Sequence, residues 1–203
     1  MADAGPRVGN RRGDGELLRD QLLAAATALL VAPRRVEPPS LRAVARASGV
    51  SPSAVYLHFT SQADLVATVV AAQYAELRRA LDDADDTDAD PGARLGLLAE
   101  AYVTWGLAHP GAYQLLFESA DVLPSAAPGE EVTGPGLDLL DRVAELVDLV
   151  GTRQEPGQQV ALQIWAALHG HVSLRLHKQE APWLRDAVSD GRRIVAALHA
   201  PDA

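Results

Sequence analysis

The segment LRAVARASGVSPSAVYLHF, residues 41–59, constrains the fold of this chain more than any other stretch. Two short helices crossing steeply over a tight turn need a small residue at the crossing, a turn residue that accepts positive φ, and an apolar anchor on the second helix. Ala45, Gly49 and Val55 supply these at the offsets of a helix-turn-helix. Ser40 can cap the first helix, 41–48, and Gly49 stands where its left-handed terminator is wanted. Ser51 can cap the second, which runs to about His58, with Pro52 at its first position, where a missing N–H costs nothing. Leu41, Val44, Val50 and Phe59 complete a miniature core. Pro52, Ser53, Tyr56 and Leu57 remain outward on the second helix, with His58 at its end, a set suited to a DNA major groove. The same pattern fits an αα-hairpin with no nucleic-acid role.

The flanking sequence predicts an all-α chain. Residues 1–15 carry four glycines and no apolar period, which predicts a flexible arm. A helix follows from Glu16, with Leu18, Leu22, Ala25, Ala26 and Leu29 on one face, and PRRVEPP at 33–39 stops it. Ser61 with Asp64 opens a long helix to about Asp83. The acidic run at 82–92 places Asp86, Asp88 and Asp90 at alternate positions, but Pro91 and Leu97 stand where a calcium loop needs Gly and Glu, so a solvated helix end is expected. Further helices are predicted at 93–108, 112–119, 137–150, 156–178 and 183–199, with a Pro/Gly/Ser-rich loop at 122–136. The domains expected are an arm at 1–15, a three-helix helix-turn-helix domain at 16–75, and a C-terminal helical bundle at 76–203 joined to it by the long helix.

Charge is uneven along the chain. The net charge is −9, yet residues 1–60 hold eight arginines against five acids, leaving −12 for the remainder. A basic end on an acidic body lets one end approach phosphate while the rest repels it. With no cysteine, disulfides, thiolate metal sites and a Cys nucleophile are excluded. The longest mostly apolar run, residues 22–32, is shorter than the about 20 residues a bilayer span needs, and no secretory signal is visible. A cytoplasmic protein with no membrane association is the expectation. His169, His171 and His177 do not converge on one helix face, so no metal is expected. GVSPS puts Ser53 in the wrong place for a nucleophile elbow, and no glycine-rich phosphate loop occurs. Neither a catalytic residue nor a cofactor is therefore expected.

At these residues the chain resembles the TetR family of transcriptional regulators. The motifs that carry the likeness are LLAAATALL (22–30), LRAVA (41–45), GVS (49–51), YLHF (56–59) and SQADL (61–65), together spanning about residues 16–75. The resemblance implies a TetR-like fold and a sequence-specific regulator, a repressor by analogy, that a small-molecule effector releases from a double-stranded DNA operator. It further implies phosphate contacts from Ser40 and Ser51, backbone grip by Tyr56 and His58, and base edges facing Ser53, Ala54 and Leu57. Arg42 and Arg46, and Arg7, Arg11 and Arg12 of the arm, would add charge. The family's Lys at the start of the fourth helix is Gln62 here, and Leu57 is apolar where polar or aromatic residues are common. The other function class compatible with the residues is a DNA-independent helical ligand-binding or interaction module.

In the second half, residues 101–117 and 164–174 resemble the TetR subgroup whose C-terminal domain has a Trp-x-x-x-His-Gly signature, here Trp165, His169 and Gly170. Five or more of the nine aromatic residues gather in these two segments. Tyr102, Trp105, Tyr113, Phe117, Trp165 and His169 are accordingly expected to line an effector cavity, the competing reading being simple core filling. A homodimer is expected through the last two helices. Its stripe on the final helix would be Leu184, Val188, Gly191, Val195 and Leu198. The preceding helix would add Ile164, Leu168 and Val172, closing a four-helix bundle with the partner.

Overall fold

A computed structural model describes residues 14–31, 39–117, 136–151 and 155–200. The arginines of the arm, most of the proline-rich segment and residues 122–135 of the expected loop lie outside them. Among the described residues the chain forms nine α-helices and no strand. They are α1 (Asp14–Leu30), α2 (Leu41–Ser48), α3 (Pro52–Tyr56), α4 (Gln62–Ala84), α5 (Pro91–Ala108), α6 (Pro110–Phe117), α7 (Leu137–Val150), α8 (Gly157–His177) and α9 (Ala187–His199). The chain divides into two compact units, Met1–Val69 and Val70–Ala203, and α4 runs through the boundary.

The first unit is a three-helix arrangement in which α1 and α3 both pack on α2. Its core is Leu22, Ala26 and Leu30 of α1, Leu41, Val44 and Ala45 of α2, Val55 of α3, and Phe59. The α1 face is thus centred on the 22–26–30 row, with Leu18, Ala25 and Leu29 half-buried at its flanks, and Val50 is likewise only half-buried. The first turns of α4 bury Leu65, Val66 and Val69.

In the second unit α5 is the hub, packing against α6, α7, α8 and α9. Leu95, Leu98, Tyr102 and Val103 form its buried face, and α8 contributes Val160, Ala161, Ile164, Leu168 and Val172. The acidic run is consumed by local structure. Asp90 caps α5 through its Oδ1, which accepts the Ala93 N–H at 3.0 Å. Asp85 takes Arg94 in a two-pronged pair at 2.8 and 2.7 Å, and Arg142 of α7 bonds both Asp85 and Asp82. Asp85 is pulled down to about 2, first by the Arg94 hydrogen bonds and then by Arg142, which together outweigh its desolvation.

The last helix starts later than its apolar period predicts. Asp186 caps it, accepting the Ser189 N–H at 2.8 Å, and this bond with the cap's neighbouring amides lowers the Asp186 pKa. Trp183, expected inside the helix, instead lies in the connection. Its Nε1 donates to the Lys178 carbonyl at 3.0 Å, and its ring faces the Arg175 guanidinium at 4.2 Å. No helix among the described residues is long and apolar enough to cross a membrane.

Candidate nucleic-acid interface and aromatic cluster

The helix-turn-helix is set by local chemistry. Ser40 has extended backbone (φ −66°, ψ 153°) and its Oγ accepts the Ala43 N–H at 3.2 Å. Gly49 closes α2 at φ 69°, donating to Arg46, while Val50 N–H reaches back to Ala45 at 3.0 Å. A Cβ at Gly49 would meet nothing within 4 Å, so backbone conformation and not space demands glycine there. Ser51 Oγ accepts the Ala54 N–H at 3.3 Å and lies 2.9 Å from Ser53 Oγ.

These caps aim α3. With Val55 and Phe59 buried, Ser53, Tyr56 and Leu57 fall at i, i+3 and i+4 on the opposite face. Tyr56 is 56% exposed and Leu57 84%, Pro52 is exposed, and Ala54 and His58 are half-buried beside them. Ser40 and Ser51 are exposed as well, as are Arg42 and Arg46, which make no ion pair among the described residues. All ten of these residues are therefore at least partly solvent-accessible.

Three further residues support this unit. Gln62, in the place of the family's lysine, donates its Nε2 to the Pro39 carbonyl at 3.3 Å, tying the start of α4 to the entry of α2. Asp64 accepts both the backbone N–H and the hydroxyl of Thr60, at 2.8 and 2.9 Å, and these bonds lower its pKa. Arg19 of α1 lies over the Phe59 ring at 5.5 Å. The Ser61–Asp64 pair was legible as a capping signal, whereas the Gln62 and Arg19 contacts are tertiary.

In the second unit, five of the six residues expected at an effector site come together. Phe117 is the centre, with ring centroids 5.0 Å from Tyr113, 5.8 Å from His169, 6.0 Å from Tyr102 and 6.4 Å from Trp165. Tyr113 OH lies 2.7 Å from His169 Nδ1 and 3.2 Å from Tyr102 OH. Burial pushes Tyr102 up to about 12. The exception is Trp105, which stacks on His109 at 5.2 Å while His109 Nδ1 donates to the Trp105 carbonyl. A residue absent from the sequence reading joins instead: Tyr74 of α4 meets Phe117 edge-on at 6.0 Å. Tyr102, Trp105 and Tyr113 are buried core, whereas Phe117, His169 and Trp165 are accessible, Trp165 by 38%.

The stripe expected to form a dimer is largely this chain's own core. Ile164, Leu168, Val172, Gly191 and Val195 are buried within one chain, and Val188 and Leu198 are half-buried. The missing Cβ of Gly191 admits Val103 of α5, whose Cγ2 would lie 2.9 Å away, and not a partner helix. Leu184 is 92% exposed, but it precedes α9. Besides Trp165, the apolar surface left open on α8 includes Leu162, Ala166 and Leu174, with Gly170 between them, where an added Cβ would meet nothing within 4 Å.

Residues 22–69 match the model of bacterial regulatory proteins of the tetR family, and residues 95–198 match the tetracyclin repressor-like C-terminal domain. The chain belongs to the TetR family. No curated protein matches the sequence. Among solved structures, a TetR-like transcriptional regulator from Rhodococcus sp. RHA1 is 19% identical, with a TM-score of 0.66 over 94% of this chain and 96% of that one. A TetR family transcription regulator from Marinobacter aquaeolei VT8 is 14% identical, with a TM-score of 0.67 over 93% and 98%. The fatty acid degradation regulator from Bacillus halodurans is 15% identical, with a TM-score of 0.64 over 89% and 93%. These structures share the all-helical fold. As a TetR-family protein the chain is a DNA-binding transcription regulator and not an enzyme.

Proposed function

We propose that this TetR-family regulator is a homodimeric repressor that leaves its operator when an uncharged or weakly polar small molecule binds the second unit. The observation that carries the DNA-binding half is the outward face of α3. Ser53, Tyr56 and Leu57 stand in solvent behind two side-chain caps, and Arg42 and Arg46 are exposed on the preceding helix. Ser40, Arg42, Ser51 and Arg46 take phosphates, which fix register, and Pro52, Ser53, Ala54, Tyr56, Leu57 and His58 lie along the groove.

The partner surface in this reading is the open face of α8. Leu162, Ala166, Gly170 and Leu174 recur every four residues, and two small residues in the middle let a twofold-related copy of the helix approach closely. The effector meets Phe117, Trp165 and His169, the accessible members of the aromatic cluster, where apolar surface is combined with few polar groups. Because Tyr74 of α4 touches Phe117, a ligand there bears on the helix whose first turns bury Leu65 and Val69 in the DNA-reading unit. Release then follows only from the difference in ligand affinity between the two settings of α4.

A mobility-shift titration on the DNA upstream of its own gene tests the reading, with two variants. Tyr56→Ala weakens operator binding by roughly 1–3 kcal/mol without unfolding the protein. Leu162→Asp combined with Leu174→Asp gives a monomer in sedimentation that no longer binds operator. Unchanged affinity in the first variant refutes the recognition face, and a persistent dimer in the second refutes the α8 interface.

A further inference from the structure

The recognition face of α3 has an unusual chemical restriction. From Ser51 to Phe59 it contains no Arg, Lys, Asn, Gln, Asp or Glu. In the major groove, guanine is read by Arg or Lys, adenine by Asn or Gln, and cytosine by Asp or Glu. None of these pairings is open to this helix. Thymine alone offers an apolar feature, its C5-methyl group, which an apolar side chain recognises by contact. The helix presents one such side chain fully to solvent: Leu57, at 84% exposure, next to the half-exposed ring of Tyr56.

The surroundings make Leu57 a fixed probe. It follows the last turn of α3 with helical backbone (φ −73°, ψ −20°), and the residues on either side of the face are pinned by Val55 and Phe59 in the core. His58 and Phe59 N–H groups both bond the Val55 carbonyl, at 2.9 and 3.0 Å, so the chain around Leu57 is held through two turn-closing bonds. The Ser53 hydroxyl on the same face lies 2.9 Å from Ser51 Oγ and can serve more than one base, so it carries little discrimination.

We propose that Leu57 is the principal base-reading residue, and that it selects operators by contact with a thymine C5-methyl in each half-site. This rests on the DNA-binding reading above. The test uses the full chain. An operator is first selected from a randomised duplex pool, and each thymine in it is then replaced singly by deoxyuridine, which removes only the methyl. Fluorescence anisotropy compares wild type and Leu57→Ala on both forms. At one thymine per half-site the wild type loses about fourfold in affinity, the equivalent of one buried methyl group. Leu57→Ala binds the thymine and uracil forms equally there, and low salt restores measurable affinity if its binding is weak. Its melting temperature stays that of the wild type, because the side chain covers no core. A wild type indifferent to every replacement overturns the inference, as does a Leu57→Ala protein that keeps the methyl preference at every thymine. A pool with no enriched sequence overturns the DNA-binding reading and takes this inference with it, whereas an enriched operator without methyl dependence overturns only the inference.

Discussion

Two glycines in one helix respond to the same substitution with opposite signs. Gly96 and Gly106 both lie within α5. A Cβ at Gly96 would find only Arg192 Nε, at 3.8 Å, an ordinary contact with a flexible side chain. At Gly106 the same atom would sit 2.8 Å from Val172 Cγ1 and 3.0 and 3.1 Å from the Tyr113 ring. Val172 and Tyr113 are both 0% exposed, so neither has room to turn away. Alanine in a helix interior is favoured over glycine by about 0.5–1 kcal/mol, and Gly96→Ala collects that gain in full. At Gly106, within the last turn, the gain is smaller, and overpacking costs typically about 1–3 kcal/mol.

The net expectation for Gly106→Ala is a loss of roughly 1–2 kcal/mol, which places the two variants about 1.5–3 kcal/mol apart. For a chain of this size that difference is about 5–10 °C in melting temperature. Thermal and urea unfolding measure it, all at one protein concentration, since association shifts apparent stability. Tyr113 holds His169 through its hydroxyl, so a displaced ring also disturbs the accessible end of the aromatic cluster. A Gly106→Ala protein as stable as wild type refutes the packing argument at α5–α8. A destabilised Gly96→Ala refutes the claim that its surroundings are open.

Gln62→Lys exchanges the Pro39 tether for a cation at the start of α4. It should tighten operator binding at low salt and steepen the log–log salt slope by roughly one unit per added phosphate contact, read by anisotropy across a salt series. An unchanged slope shows that this position does not reach the backbone of the DNA. Asp85 sits between Arg94 and Arg142 with a folded-state pKa of about 2, below the ordinary carboxylate value. Its contribution is therefore complete above that ordinary value and is lost as pH falls from about 4 towards 2, an effect of roughly 1–2 kcal/mol after allowance for screening. In Asp85→Asn, urea midpoints should be lower at neutral pH and decline less on acidification than in wild type, and parallel declines refute the assignment.

The helix-turn-helix was legible because its determinants act within four residues. Ser40, Gly49, Ser51 and Pro52 each meet a backbone need that a neighbour in sequence creates, and the dihedral angles at Ser40, Gly49 and Ser51 are those the residue types favour. The start of α9 was misplaced although its cap is equally local. The apolar period continued through Trp183 and Leu184, and the Asp186 cap three residues before Ser189 carried the better signal. Trp105 was wrongly grouped with the other aromatics, yet its partner His109 stands four residues on, within reach of one helix face. Tyr74 had no such signal. It reaches Phe117 only through tertiary packing, and nothing in the spacing of 42 intervening positions encodes that meeting.

The dimer stripe shows a more general limit. Periodicity reports which face of a helix is apolar, not what covers it. On α8 two rows of residues recur every four positions: 160, 164, 168 and 172, and 162, 166, 170 and 174. Residues two apart on a helix point about 200° away from one another, so these rows are on opposite sides. Such a helix is either enclosed by its own chain or shared between two chains. Val160, Ile164, Leu168 and Val172 are buried against the rest of the second unit, which answers the question for the first row. Leu162 and Leu174 remain about half exposed, and Ala166 and Gly170 between them leave a shallow, small-residue strip. The row richer in large apolar residues was the natural choice from sequence, but bulk marks a core within a chain. In the dimer proposed above, the small residues between Leu162 and Leu174 are where a second helix backbone comes close.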